Sequence, residues 1–403
     1  MTASLLAAID MAPRDPILGV SEAFNADTNP KKVNLGIGVY CNDDGKVPVL
    51  ECVKRAEQTL LAAGAPKAYL PMDGMAAFNK AAQQMLFGAD HAALREGRIV
   101  TVQALGGTGG LKVGADFLKR FNPGAEVWIS DPSWENHRAL FESAGFKVNT
   151  YPYYDADTNG FKAAAMLDAL RALPHNAIVV LHACCHNPTG VDPTPAQWGA
   201  ILEVVKQRRL VPFLDLAYQG FAENLDADAA VMRRFAAECP TTIVASSFSK
   251  SLSLYGERIG ALSIATGSAE EAARVLSQVK RVIRTNYSNP PAHGGQLAAA
   301  ILTDPTLRPL WDRELGEMRD RIKTMRRQLV DKIRAHRADF DLSFVVEQRG
   351  MFSYSGLTKE QVTRLREEYS IYALDSGRVC VAALNSKNID YVAKAIATVL
   401  VPA

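Results

Sequence analysis

Short apolar runs, several rich in β-branched residues, recur from Val33 to Ala245 and are separated by stretches with helical spacing. Thr101–Leu105, Glu126–Ser130, Phe146–Tyr151, Asn176–His182, Leu210–Asp215 and Ile243–Ala245 have the length and content of strands. Helical spacing predicts helices at about Leu50–Ala63, Met75–Phe87, Leu111–Phe121 and Pro195–Arg208. Val33–Tyr40 alternates apolar with small or polar residues and also reads as a strand, with glycines that let another group come close. Strands alternating with helices predict a largely parallel sheet covered by helices on both faces.

Both ends of the chain read differently. Pro13–Gly19 is an extended lead-in to a short helix at Val20–Phe24. From residue 262 the pattern turns helical, with helices at Glu270–Arg284 and Thr306–His336 on either side of a loop at Tyr287–Gly294. The tail offers strands at Phe344–Val346, Met351–Tyr354 and Arg378–Ala382, and helices at Thr358–Tyr369 and Asn388–Leu400. This α+β tail, joined by the N-terminal segment, predicts a second, smaller domain. Length agrees, because 403 residues exceed what one core usually serves.

Composition narrows the class. A net charge of +2, with no basic run or interleaved aromatic platform, points away from nucleic acid. No apolar run is long enough to span a bilayer. The start of the chain lacks a basic region and meets Asp10 early, unlike a secretory signal. Six cysteines form no C-x-x-C pair or paired framework, which suits reduced thiols in the cytoplasm.

The chemistry gathers where strands end. Lys250 follows the run Ile243–Ala245 with Ser247 and Ser249 beside it and Arg258 eight residues on. A lysine at a buried strand end loses hydration, its pKa falls, and a neutral amine can form a Schiff base with a carbonyl. Hydroxyls and a guanidinium close by suit a phosphate. A Schiff-base lysine beside a phosphate cradle suggests pyridoxal phosphate (PLP). On its own, the same S-x-x-K reads as a loop lysine paired with Glu257. Gly106–Gly110 sits between a strand and a helix, where backbone N–H groups and a helix end attract an anion. Its spacing fits neither a dinucleotide nor a nucleoside triphosphate loop, so a single phosphate fits better, with a structural tight turn as the plain alternative. His182, Cys184, Cys185 and His186 invite a zinc reading, but four ligands within five residues are crowded, and no metal is expected. In parallel sheets ligands bind beyond the C-terminal strand ends. Gly106, Trp134, Asn187, Asp215 and Lys250 all follow or close such ends, so one pocket can hold them.

With those residues in hand, the chain resembles the class I, fold-type I PLP-dependent aminotransferases, in the aspartate and aromatic amino acid group. The resemblance spans nearly the whole chain. It rests on Asn34–Tyr40, Gly106–Gly109, Cys184–Gly190, Asp215–Gly220, Ser246–Lys250, Glu257–Gly260, Tyr287–Pro291 and Ser376–Arg378, in family order. Tyr69–Gly74 and Asp131–His137 look like the bacterial aromatic branch, whereas Asn289–Gly294 looks like the aspartate branch.

The resemblance implies a role for each matched residue. Lys250 would carry PLP and move the substrate's Cα proton. Asp215 would keep the pyridinium nitrogen protonated, supported by His137. Tyr218 and Asn187 would bond the cofactor's phenolic oxygen, and Trp134 would stack on its ring. Gly107, Thr108, Ser247 and Arg258 would bind its phosphate, with Tyr69 reaching in from a second subunit. Arg378 would take the substrate α-carboxylate, helped by Gly38 and Asn187. Arg284 of the other subunit would meet a side-chain carboxylate; its neighbours Lys280 and Arg281 read, from the residues alone, as a solvated helix end. The implied enzyme is a homodimer with a large PLP-binding domain at 46–314, built on a mostly parallel seven-stranded sheet between helices. Residues 1–45 and 315–403 would form the small domain. Its donors would be tyrosine, phenylalanine and aspartate, with 2-oxoglutarate as acceptor. The alternatives are an aspartate-restricted aminotransferase, another PLP reaction, and a PLP- or metabolite-binding protein without turnover.

Overall fold

The central apolar runs pair into one sheet because they are apolar on both faces. In the computed structural model, which describes residues 4–12, 15 and 17–400, thirteen strands fall in chain order. They are β1 (Val33–Asn34), β2 (Ile99–Leu105), β3 (Val127–Asp131), β4 (Val148–Pro152), β5 (Tyr154–Asp155), β6 (Gly160–Phe161) and β7 (Ile178–His182). Then come β8 (Val211–Leu216), β9 (Thr242–Ser247), β10 (Ile259–Ala265), β11 (Phe352–Tyr354), β12 (Ile371–Tyr372) and β13 (Arg378–Cys380). Seven form the main sheet in the order β2-β10-β9-β8-β7-β3-β4. From β9 to β4 every pair is parallel, and β10 runs antiparallel to both its neighbours. Along β7, Ile178 and Val180 enter one apolar core while Val179 and Leu181 enter the other. This two-residue alternation into two cores is what a sheet buried on both faces requires.

The helices Glu51–Ala63, Ala76–Phe87 and Pro195–Arg208 match expectation to within a residue. Other expectations need correction. Val33–Tyr40 is a strand only at its first two residues, which pair in parallel with Ile371 and Tyr372. The Asn34 side chain then accepts the amides of Gly36 and Ile37, turning the chain out of strand geometry. The glycines Gly106–Gly110 are not a loop before a helix but its first turn, since the helix spans Gly106–Phe121. Close packing outweighs poor propensity here: a Cβ on Gly110 would meet the Ala261 carbonyl at 3.1 Å, and one on Gly114 would meet Phe213 at 2.6 Å. Strand β10 extends past residue 262 to Ala265, where helical character was expected. Phe344–Val346 lies in a short helix, Ser343–Glu347. The loop at Tyr287–Gly294 ends early, because a helix begins at Ala292. The strand from Arg378 stops at Cys380 and continues as a 3-10 turn. Pro13, Arg14 and Pro16 of the expected lead-in, and Met1–Ala3, lie outside the described residues.

The two chain ends meet. Besides the β1–β12 pair, Cys41 donates its amide to Ala382, and Cys380 donates to Leu35. The helix Leu307–His336 packs along Ile389–Val399. Among the described residues no helix is long and apolar enough to cross a membrane.

Candidate active site

The parallel strands β9, β8, β7 and β3 deliver their C-terminal ends to one edge of the sheet. The antiparallel β10 starts at that edge, so Arg258 joins Ser247 and Gly106 there. A cavity of about 290 Å³ opens at this edge. Of the residues expected from the sequence, Gly38, Gly107, Thr108, Trp134, Asn187, Asp215, Tyr218, Ser247, Lys250, Arg258 and Arg378 all line it.

One end is built for an anion. Gly107 and Thr108 lie in the first turn of Gly106–Phe121, where amides have no helical partner. Gly107 needs its missing side chain, since a Cβ there would press on Ser247 Cβ at 3.2 Å. Gly106 has φ +67°, and a Cβ there would meet Arg258 Nη2 at 2.6 Å. Arg258 Nη1 donates to the Tyr255 carbonyl at 2.9 Å and to Ser249 Oγ at 3.4 Å. Both partners are neutral, so its charge is available to an anion.

In the middle sit Lys250 and Asp215. Lys250 Nζ lies 5.1 Å from the centre of the Tyr218 ring. Burial pushes its pKa down, Arg258 adds to this, and Asp215 opposes it. Asp215 Oδ2 and His137 Nε2 are 3.0 Å apart, and His137 Nδ1 is 3.0 Å from Ser133 Oγ. Burial raises the Asp215 pKa, but the His137 hydrogen bond and the nearby His137, His182 and Lys250 outweigh it and lower the net value. Asp215 is therefore an anion, and His137 Nε2–H is the donor. Beside them both ring nitrogens of His182 are buried without a partner. Burial first, then His137, holds the His182 pKa down to about 3, so this ring is neutral.

The other end is built for a carboxylate. Arg378 is only 1% exposed. It donates to Asn187 Oδ1 at 3.1 Å and to the Gly36 carbonyl at 2.6 Å, and its buried Nε has no partner. No carboxylate pairs with it among the described residues, which leaves a desolvated cation with donor capacity to spare. Gly38 lies opposite, where a Cβ would meet Phe352 Cζ at 2.9 Å.

Three expected residues do not line the cavity. His137 stands behind Asp215 and 5.3 Å, centroid to centroid, from Trp134. Tyr69 is 93% exposed, and Arg284 is exposed with Nη1 bonded to Ser288 Oγ at 2.5 Å. Of the four residues weighed for zinc, only His182 reaches the cavity, while Cys184 and Cys185 are buried, unbridged thiols. The sequence reading missed Tyr255 and Phe352. Tyr255 lies five residues after Lys250 and its hydroxyl accepts the Tyr40 amide at 2.9 Å. Phe352 sits in an expected strand, and only the alternation of that strand pointed inward.

A group with a phosphate, a carbonyl and a basic ring nitrogen fits this chemistry. The glycine cradle and neutral-partnered Arg258 match the phosphate, Lys250 the carbonyl, and ionised Asp215 the nitrogen.

Comparison with known proteins agrees. The family described as Aminotransferase class I and II matches residues 30–396. The aspartate aminotransferase of Pseudomonas aeruginosa is 59% identical over 397 residues, covering 98% of this chain and 100% of that protein. The aromatic-amino-acid aminotransferase of Escherichia coli is 50% identical over 394 residues, covering 97% and 99%. The crystal structure of the aromatic-amino-acid aminotransferase from Burkholderia pseudomallei, covalently bound to pyridoxal phosphate, superposes with a TM-score of 0.97 at 63% identity, covering 99% of this chain and 100% of that one. The sheet of seven mostly parallel strands between helices is the fold-type I architecture. By sequence, fold and site together, the chain belongs to the class I and II aminotransferase family.

Proposed function

We propose that this protein is a PLP-dependent aminotransferase. It moves the amino group of tyrosine, phenylalanine or aspartate to 2-oxoglutarate, in two half-reactions at one site. The convergence of Lys250, Asp215 and Arg378 on a single cavity with an anion cradle carries this reading. Relatives named for aspartate and for aromatic amino acids support both donor classes.

When bound, PLP supplies the carbonyl that takes the amino group and the ring that accepts the Cα–H electron pair. The chain's own residues do the rest. Gly107, Thr108, Ser247 and Arg258 hold the phosphate by amides, hydroxyls and charge. Asp215, kept ionised by His137, holds a proton on the ring nitrogen. Asn187 and Tyr218 donate hydrogen bonds to the phenolic oxygen, and Trp134 covers the ring. Lys250, with a pKa lowered by burial, takes the proton from the substrate Cα. Arg378 fixes the α-carboxylate with the donors that Asn187 and Gly36 leave free, and Gly38 leaves room for it.

The exposure of Tyr69 and Arg284 supports the rest of the reading. In a homodimer each reaches the neighbouring subunit's cavity, Tyr69 toward the phosphate and Arg284 toward a side-chain carboxylate. Residues 46–314 form the large domain, and 1–45 with 315–403 the small one, which the pairing of both chain ends supports. The cytoplasm is the expected compartment, since buried free thiols survive in a reducing medium. The test is a panel of amino donors with 2-oxoglutarate, read as glutamate formed. Phenylalanine, tyrosine and aspartate should all produce glutamate, whereas aspartate alone would indicate the restricted enzyme.

A further inference from the structure

Arg326 is a buried cation, 2% exposed, in the helix Leu307–His336. Among the described residues no carboxylate pairs with it. Every hydrogen bond it makes goes to one short segment, in which a turn at Gly350 leads into β11. Nη2 donates to the Gly350 carbonyl at 2.5 Å and the Phe352 carbonyl at 3.2 Å, and Nε donates to Ser353 Oγ at 3.1 Å. Removing a guanidinium from water without a counter-ion is costly. Burial lowers its pKa to about 10, so it remains charged at neutral pH.

What that turn carries is the carboxylate end of the cavity. The Arg378 guanidinium carbon lies 4.1 Å from the centre of the Phe352 ring, within cation–π range. The same ring stands edge-on to Tyr218 at 6.0 Å and occupies the space that a side chain on Gly38 would need. The turn also backs the loop bearing Asn187. Arg349 donates its amide to the Gly190 carbonyl at 2.7 Å, and a Cβ on Gly350 would meet Cys185 Cβ at 2.5 Å. Gly350 has φ +80°, so glycine alone adopts this approach without strain. Arg326 thus grips a segment that touches both Arg378 and the loop of its partner Asn187.

We propose that Arg326 is a positioning residue for the substrate carboxylate, acting through Phe352 on Arg378. Resting on the reading of Arg378 as the carboxylate ligand, it adds a reason for an unpaired buried cation outside the cavity. Arg326 fixes the 350–353 segment, the segment fixes the Phe352 ring, and the ring holds the Arg378 guanidinium in place through the 4.1 Å contact. Phe352 contributes a face that no aliphatic side chain reproduces.

The test uses the cofactor-loaded enzyme and five variants: Arg326→Lys, Arg326→Met, Phe352→Leu, the double variant Arg326→Met/Phe352→Leu, and Arg378→Leu. KM and kcat are measured for phenylalanine and aspartate, together with inhibition by 3-phenylpropionate, which has the carboxylate but no amine, and by 2-phenylethylamine, which has the amine but no carboxylate. Arg326→Met and Phe352→Leu should each raise KM for both donors, and the 3-phenylpropionate inhibition constant, by about tenfold, the size of one cation–π contact. In Arg326→Met, inhibition by 2-phenylethylamine and kcat should move by less than about twofold on the same scale. The double variant should lose no more than the worse single one, because both act through one contact. Arg326→Lys keeps the charge but not the forked geometry, so it should show the same selective loss, and it decides the matter where Arg326→Met does not fold. Unchanged 3-phenylpropionate binding in folded Arg326 variants, or equal loss for 2-phenylethylamine, overturns the proposal. Arg378→Leu separates the two failures: if it leaves 3-phenylpropionate binding intact, the carboxylate reading itself is wrong.

Discussion

His137 and Asp215 share one hydrogen bond of 3.0 Å at the bottom of the cavity, with His137 fully buried and Asp215 nearly so. The bond keeps Asp215 ionised against the cost of burial, which is what holding a proton on a ring nitrogen demands. Asp215→Asn preserves shape and hydrogen bonding but removes the charge. Losing a desolvated charge pair costs several kcal/mol, and each 1.36 kcal/mol is tenfold in rate, so kcat should fall by about two decades or more. Steady-state turnover with saturating donor measures it. A kcat near the parent value would remove the electron-accepting role from this residue.

His182 gives a prediction in pH. Its folded pKa of about 3 lies below the unfolded value near 6.5, so the unfolded chain binds more protons between those values. Stability from this group is therefore present above pH 6.5 and lost as pH falls toward 3. Asp215, also lowered, adds a loss in the same direction at the acid end. The His182 contribution is on the order of a few kcal/mol when fully expressed. Urea midpoints of the parent and of His182→Asn at pH 7, 5.5 and 4.5 test it. The parent should lose stability more steeply than the variant, and parallel profiles would show that His182 does not titrate in this way.

On the proposed reading, specificity rests on two arginines with different duties. Aspartate carries a second carboxylate where phenylalanine carries a ring, and breaking a buried ion pair costs roughly 3–5 kcal/mol. Arg284→Leu should therefore lower kcat/KM for aspartate by about two to three decades and leave phenylalanine unchanged or improved. Arg378→Leu should harm both donors alike. Kinetics of both variants with both donors decide it. Equal losses in Arg284→Leu would assign that arginine to the fold or the dimer.

Arg284 and Tyr69 lie outside the cavity of their own chain, and in the proposed homodimer they serve the neighbouring subunit's site. Lys250→Ala and Arg284→Ala homodimers should each be poor with aspartate. Mixing them by subunit exchange should restore activity, because one interface of the mixed dimer then joins an intact Lys250 to an intact Arg284. No recovery on exchange would place Arg284 in its own chain's chemistry or in none.

Much of this was legible before folding. Most of the cavity residues, from Gly107 to Lys250, stand just beyond strand ends of the main sheet in family motifs, and strand ends are where parallel sheets collect ligands. What escaped was governed by packing. Ile259–Ala265 hides as a strand because Gly260 and Ser263 interrupt its apolar run. Gly260 is there because a Cβ would meet the Gly106 carbonyl carbon at 2.4 Å. Phe344–Val346 is apolar and β-branched like a strand, yet it closes a short helix whose Val345 fills the core. Arg326 gave no signal at all, as one arginine among many on a long helix. Its meaning depends on Gly350 and Phe352, far from it in sequence.

Lys250 is the proposed carrier of the cofactor, and everything else in the site is arranged around it. Borohydride reduction of the purified protein, followed by proteolysis and mass spectrometry, reads it directly. The reduced pyridoxyl group should lie on the peptide containing Ser249-Lys250-Ser251 and on no other lysine, and Lys250→Ala should carry none. A pyridoxyl group on a different lysine, or an unlabelled Lys250 in active protein, would contradict the account.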